Sequence, residues 1–155
     1  YKNNILQRKM QMLVDALSQK GVEIAKANVQ KYDAVFTGEL LNSIHKENGG
    51  VQDGTAIFYI VCDSKHAMFV EFGTGVVGQQ NPHKNGEYLS LASWGYATGS
   101  KIFTTKDGRV GWIYPTDDGG FRFTEGMQSR PFMYETALEL ERQYAKVAKE
   151  VFGRK

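Results

Sequence analysis

Cys62 is the single cysteine, and His45, His66 and His83 are the three histidines. A thiol and imidazoles can hold a metal, or pair a nucleophile with its base, when their spacing brings them to one point. These are far apart and follow no ligand pattern. His66 and Glu71 are five positions apart. That spacing places them on different faces of a helix, so they do not make a zinc-helix motif. Cys62 closes the apolar run Ala56-Ile57-Phe58-Tyr59-Ile60-Val61-Cys62 and reads as a small buried hydrophobe, not a reactive thiol. Gly73-Thr74-Gly75 has the look of a phosphate loop, but neither the lysine nor the helix that such a loop needs is read after it, so a turn is expected. Ser43, Ser64 and Ser90 have no nucleophile elbow around them. Asp117-Asp118 has the right chemistry for a metal, yet Pro115 and Gly119 on either side mark a hairpin turn. The residues therefore predict no enzyme activity, no metal site and no cofactor. A small hydrolase or nuclease is the least supported reading.

The chain has 155 residues, enough for one domain with one hydrophobic core, and residues 1–155 are read as a single domain. It is 41% apolar and 23% charged, ordinary values for a folded protein. Lys plus Arg number 19 against 17 Asp plus Glu, a net charge of +2. That excess is too small to point to nucleic acid as the main ligand. With one cysteine no intrachain disulfide can form, which suits a reducing cytoplasm. No apolar stretch reaches membrane-spanning length, and no membrane partner is expected. Tyr1-Lys2-Asn3-Asn4 does not read as a signal peptide, and the lack of an initiator methionine points to a trimmed or processed start.

The elements follow from periodicity. Leu6, Met10, Leu13 and Leu17 recur at helical spacing, as do Ala25, Val29, Tyr32 and Phe36, predicting a long amphipathic helix over about residues 3–35. Gly21 lies between the two stripes and could bend or break it. Thr37 can cap a short helix, and Glu39 suits its first turn. Residues 44–47 read as a strand, Asn48-Gly49-Gly50 as a turn, and residues 56–62 as a strand covered on both faces. A short amphipathic piece covers residues 64–72. Residues 76–106 lose all pattern, apart from the aromatic and aliphatic group Tyr88, Leu89, Leu91, Trp94 and Tyr96, which calls for burial. Residues 110–114 and 121–124 form a hairpin across a Pro-Thr-Asp-Asp-Gly-Gly turn. Pro131 opens a last helix whose stripe is Met133, Ala137, Leu140, Tyr144, Val147 and Val151, ending near Gly153. The expected class is α+β: a long N-terminal helix, an antiparallel sheet of about four strands, and a C-terminal helix packed on the sheet. Arg142, Lys146 and Lys149 lie on the solvent side of that last helix. A solvated face is the default reading, and a nucleic-acid contact is the alternative.

Four stretches, in order, resemble the minor neck and tail-completion proteins of long-tailed bacteriophages and prophages. They are Thr37-Gly38-Glu39-Leu40-Leu41-Asn42-Ser43-Ile44, Ala67-Met68-Phe69-Val70-Glu71-Phe72-Gly73-Thr74-Gly75, Gly111-Trp112-Ile113-Tyr114-Pro115 and Gly126-Met127-Gln128-Ser129-Arg130-Pro131-Phe132-Met133. The interval between Gly75 and Val110 is longer than the family's core pattern. The resemblance implies a small α+β virion structural protein at the head–tail junction, made in the cytoplasm of a bacterial host. It would form a homo-oligomeric ring that joins connector to tail tube or terminates the tube. Its partners would be copies of itself, the neighbouring connector and tail-tube proteins, and DNA passing through without sequence specificity. A ring built from one repeated contact needs two different faces of the subunit to match. The candidate assembly contacts are Phe69, Glu71, Phe72, Thr74, Trp94, Arg130 and Phe132. Phe132 is expected on the flank of the last helix's stripe, where it covers either the sheet edge or a neighbour.

Overall fold

A computed structural model describes residues 2–34, 38–85 and 102–153. The first helix, α1 (Lys2–Lys31), runs without interruption through Gly21. Gly21 does not break it; it makes room. A Cβ there would lie 2.1 Å from Ile60 Cδ1 and 2.9 Å from Leu140 Cδ1, so glycine sets a close approach of helix, sheet and last helix. The buried face of α1 begins at Leu13 and continues through Val22, Ala25 and Val29.

After α1 comes α2 (Glu39–Asn42), whose N-cap is Gly38 with φ 75° and no side-chain cap bond. Thr37, expected to cap it, lies outside the described residues. Two strands follow, β1 (Ile44–Gln52) and β2 (Thr55–Cys62), paired antiparallel. The turn is Asp53-Gly54, both at positive φ, the backbone that a two-residue hairpin loop demands. Asn48-Gly49-Gly50 is therefore no turn. It is a bulge inside β1, where the register slips between Asn48 and Gly50. Cys62 is half-buried, with its sulfur 3.2 Å from Ser43 Oγ.

The remaining elements are α3 (Ala67–Phe72), α4 (Gly75–Gln80), β3 (Phe103–Thr104), β4 (Val110–Pro115), β5 (Phe121–Thr124), β6 (Gly126–Met127) and α5 (Phe132–Gly153). The fold is α+β with antiparallel sheets. The strands divide between a two-stranded sheet, β1-β2, and a three-stranded one, β3-β4-β5. Within residues 76–106, α4 and β3 supply regular structure, while residues 86–101, including Trp94 and the other aromatics of that group, lie outside the described residues.

The chain divides into two compact units, Tyr1–Ala67 with Phe132–Lys155, and Met68–Pro131. In the first, α5 runs antiparallel to α1. Lys9 Nζ donates to the Phe152 carbonyl at one end (3.0 Å), and Asn28 Nδ2 donates to the Phe132 carbonyl and to Thr136 Oγ1 at the other, both at 3.2 Å. The buried positions of α5 are Phe132, Thr136 and Val151. Phe132 thus sits at the centre of the stripe and not on its flank, while Tyr144 is exposed. Thr136 hid this phase: a polar side chain enters the core because its hydroxyl donates to the Phe132 carbonyl at 2.6 Å.

Candidate assembly site

The second unit is built on glycines that let backbones touch. α3 ends at Gly73 (φ 74°), and Thr74 leads into α4 through Gly75 (φ 62°). Thr74 and Gly75 bridge antiparallel to Met127 and Gly126. Thr74 Oγ1 accepts from the Met127 amide at 3.1 Å. A Cβ at Gly75 would lie 2.4 Å from the Glu125 carbonyl oxygen and 2.8 Å from the Trp112 ring; one at Gly126 would lie 2.0 Å from the Thr74 carbonyl oxygen. A helix does follow the Gly-Thr-Gly turn, contrary to expectation, but it has six residues and no lysine. A Cβ at Gly73 would lie 2.6 Å from the Ser129 amide nitrogen and 2.8 Å from the Met127 carbonyl oxygen, so this glycine serves a close backbone approach.

Ser129 and Arg130 close the end of α3. The Arg130 amide donates to the Val70 carbonyl at 2.7 Å, and Ser129 Oγ donates to the Glu71 carbonyl at 2.6 Å. These are carbonyls that a short helix leaves open at its C-terminus. Three of the four stretches carrying the family resemblance thus converge here: residues 68–75, 111–115 and 126–131.

At the centre lies a buried polar pair. Glu71 and His83 are 5% and 6% exposed, with Oε1 and Nε2 at 3.1 Å. His83 Nδ1 accepts the Asn85 amide at 2.9 Å. With Nδ1 accepting, Nε2 is the ring nitrogen that donates to the carboxylate. The Phe72 ring packs on the imidazole with centroids 4.5 Å apart. The pair anchors residues 83–85 to α3. Nothing in residue spacing points to it, since the partners are 12 positions apart. The one signal was a lone carboxylate inside the apolar run Ala67-Met68-Phe69-Val70-Glu71-Phe72, which had to find a donor if buried.

The candidate contacts fall into different places. Glu71, Thr74 and Phe132 are buried within the chain, so they hold its shape and present no side chain to a neighbour. Phe69 and Phe72 are half-buried. Arg130 is half-buried, and its Nη1 is a buried donor with no hydrogen-bond acceptor among the described residues.

The β3-β4-β5 sheet has two unlike faces. Register places Trp112 opposite Thr124, and Trp112 is buried with its ring at Gly75. The other face carries Phe103, Gly111, Ile113, Pro115, Phe121 and Phe123, since Phe103 pairs with Gly111, Ile113 with Phe123 and Pro115 with Phe121. Phe121 and Ile113 are 75% and 50% exposed. Among the described residues no group of three or more His, Cys, Asp or Glu could hold a metal, and no helix is long and apolar enough to cross a membrane. Comparison with protein-family models, curated proteins and solved structures returned no significant match.

Proposed function

We propose that the chain is a structural subunit of a phage neck or tail end, forming a ring that joins or completes head and tail. The reading rests on the resemblance of the four stretches. One observation in the molecule adds to it. Three of those stretches, far apart in sequence, build one glycine-lined knot in which each depends on the others' backbone. Such a knot buries its polar groups in structural hydrogen bonds and leaves an aromatic sheet face open beside it, which suits a part made to be covered by a neighbour. DNA would pass through the ring without being read. The nucleic-acid-binding alternative draws less support, because Arg142 on α5 is engaged with Glu139 at 3.3 Å and acidic residues intersperse that face.

The test is deletion of the gene from the phage or prophage that carries it. Unjoined heads and tails should accumulate, and the protein should be found in purified wild-type virions. Normal virions without the gene would overturn the proposal.

A further inference from the structure

Two apolar surfaces of this chain stand open, and they differ in shape. One is the flat aromatic face of the β3-β4-β5 sheet, where the Phe103 and Phe123 rings meet edge to face at 5.6 Å and the Arg109 guanidinium lies 4.8 Å from the Phe123 centroid. The other is the first three turns of α1. There Ile5, Leu6, Met10 and Met12 are 41–56% exposed, beside a groove of about 660 Å³ lined by Leu6, Met10, Val14, Val51 and Ala56. Leu6 and Met10 continue the stripe that becomes core at Leu13, so the apolar face of the helix outruns its cover.

We infer that these are the two halves of one heterologous contact: the N-terminal turns of α1 in one copy seat on the aromatic sheet face of the next. This rests on the ring-subunit reading and specifies its contact. Charge favours a second copy as the occupant. Residues 4–14 carry Arg8 and Lys9 and no acid, while the β4–β5 turn beside the sheet face carries Asp117 and Asp118, both exposed, and Arg109 on that face is paired with Glu125 at 3.2 Å. Asp118 accepts from Thr116 Oγ1 and from the Gly120 amide, which fixes that turn. Shape agrees, because a helix with an apolar stripe packs on a sheet face. Each surface offers only a few exposed apolar side chains, whereas a standard specific interface buries roughly 1,200–2,000 Å². A single contact is then weak, and closure of a ring adds strength through repetition. Because the surfaces differ, a contact that is not returned by the same neighbour repeats from copy to copy, as a ring requires.

Cysteine cross-linking of the full chain tests this. Leu6→Cys and Phe121→Cys replace exposed side chains and leave the core intact. Under mild oxidation, mixing the two single variants should give a disulfide dimer whose mapped bond joins positions 6 and 121, with unsubstituted chain as the blank. The double variant should give a ladder of multimers. A 121–121 dimer from Phe121→Cys alone, or no 6–121 bond in any mixture, would overturn the contact. The ring-subunit reading fails separately: a 6–121 ladder from a protein absent from virions would keep the contact and remove the phage assignment.

Discussion

Glu71 illustrates how one buried carboxylate organises its surroundings. Its acceptor role toward His83 holds the 83–85 segment on α3. Leucine at this position would fit the apolar run but leave the His83 Nε2–H without that acceptor. Glu71→Leu should destabilise the protein by about 2–3 kcal/mol, the typical loss when a buried hydrogen bond to a charged group is removed. Glu71→Gln keeps an acceptor oxygen and should lose less; urea unfolding of both variants checks the order. His45, on β1, carries a different lesson. Its Nδ1 lies 2.9 Å from the Ser43 carbonyl and its Nε2 3.1 Å from Glu47, with Asp63 at 3.6 Å. The Ser43 carbonyl first, then Glu47, raise its pKa above the usual imidazole value, because the doubly protonated ring can donate at both ends. A raised folded-state value means that the protonated ring stabilises the fold. That contribution is complete below about pH 6.5 and is lost as pH rises through the folded value. His45→Gln should therefore cost more stability at pH 5.5 than at pH 8.5, a difference that thermal melts at the two pH values can read. A larger cost at the higher pH would contradict the assignment.

At the level of elements, the glycine contacts and the start of α5 carry the packing. Gly126 has φ 104° and faces the Thr74 carbonyl across the bridge. Gly126→Ala meets both backbone strain and a backbone clash, and should cost more than about 3 kcal/mol. Gly54 has φ 77° but nothing within 4 Å. Gly54→Ala should cost only about 1 kcal/mol, the conformational part alone. Equal costs at the two sites would show that close approach is not what Gly126 serves. Phe132 is fully buried at the first position of α5. Phe132→Ala should lower stability by about 3–5 kcal/mol, enough to drop the melting temperature of the purified protein by roughly 10 °C. A protein that melts unchanged would move Phe132 out of the core.

For the whole molecule, the balance lies between two exposed apolar surfaces and a net charge of only +2. Little long-range repulsion opposes contact between copies, and the contact proposed above would be small. Sedimentation should therefore show monomer at about 1 μM and larger species at about 100 μM, as mass action requires of a weak repeated interface. Leu6→Glu or Phe121→Glu should each abolish the larger species. A tight oligomer at the lower concentration would mean a contact larger than the one described.

Periodicity alone determined much of this protein. The long first helix, the strand at residues 56–62, the β4–β5 hairpin and the α5 boundaries are legible because each repeats its apolar residues at a period of its own. The Asp53-Gly54 turn was also written in the sequence, and Asn48-Gly49-Gly50 drew attention from it because glycine serves bulges as readily as turns. What needed the tertiary structure was every feature whose partners are distant in the chain. The phase of α5 depends on Asn28 and on a threonine that satisfies its own hydroxyl, which no hydrophobicity pattern reveals. The Glu71–His83 pair depends on a chain reversal that brings the two residues together. The knot of Gly73, Gly75 and Gly126 depends on backbones separated by some fifty residues. The division of the strands into two sheets, one with an uncovered aromatic face, depends on which strand pairs with which, and alternation along a single strand does not encode its neighbour.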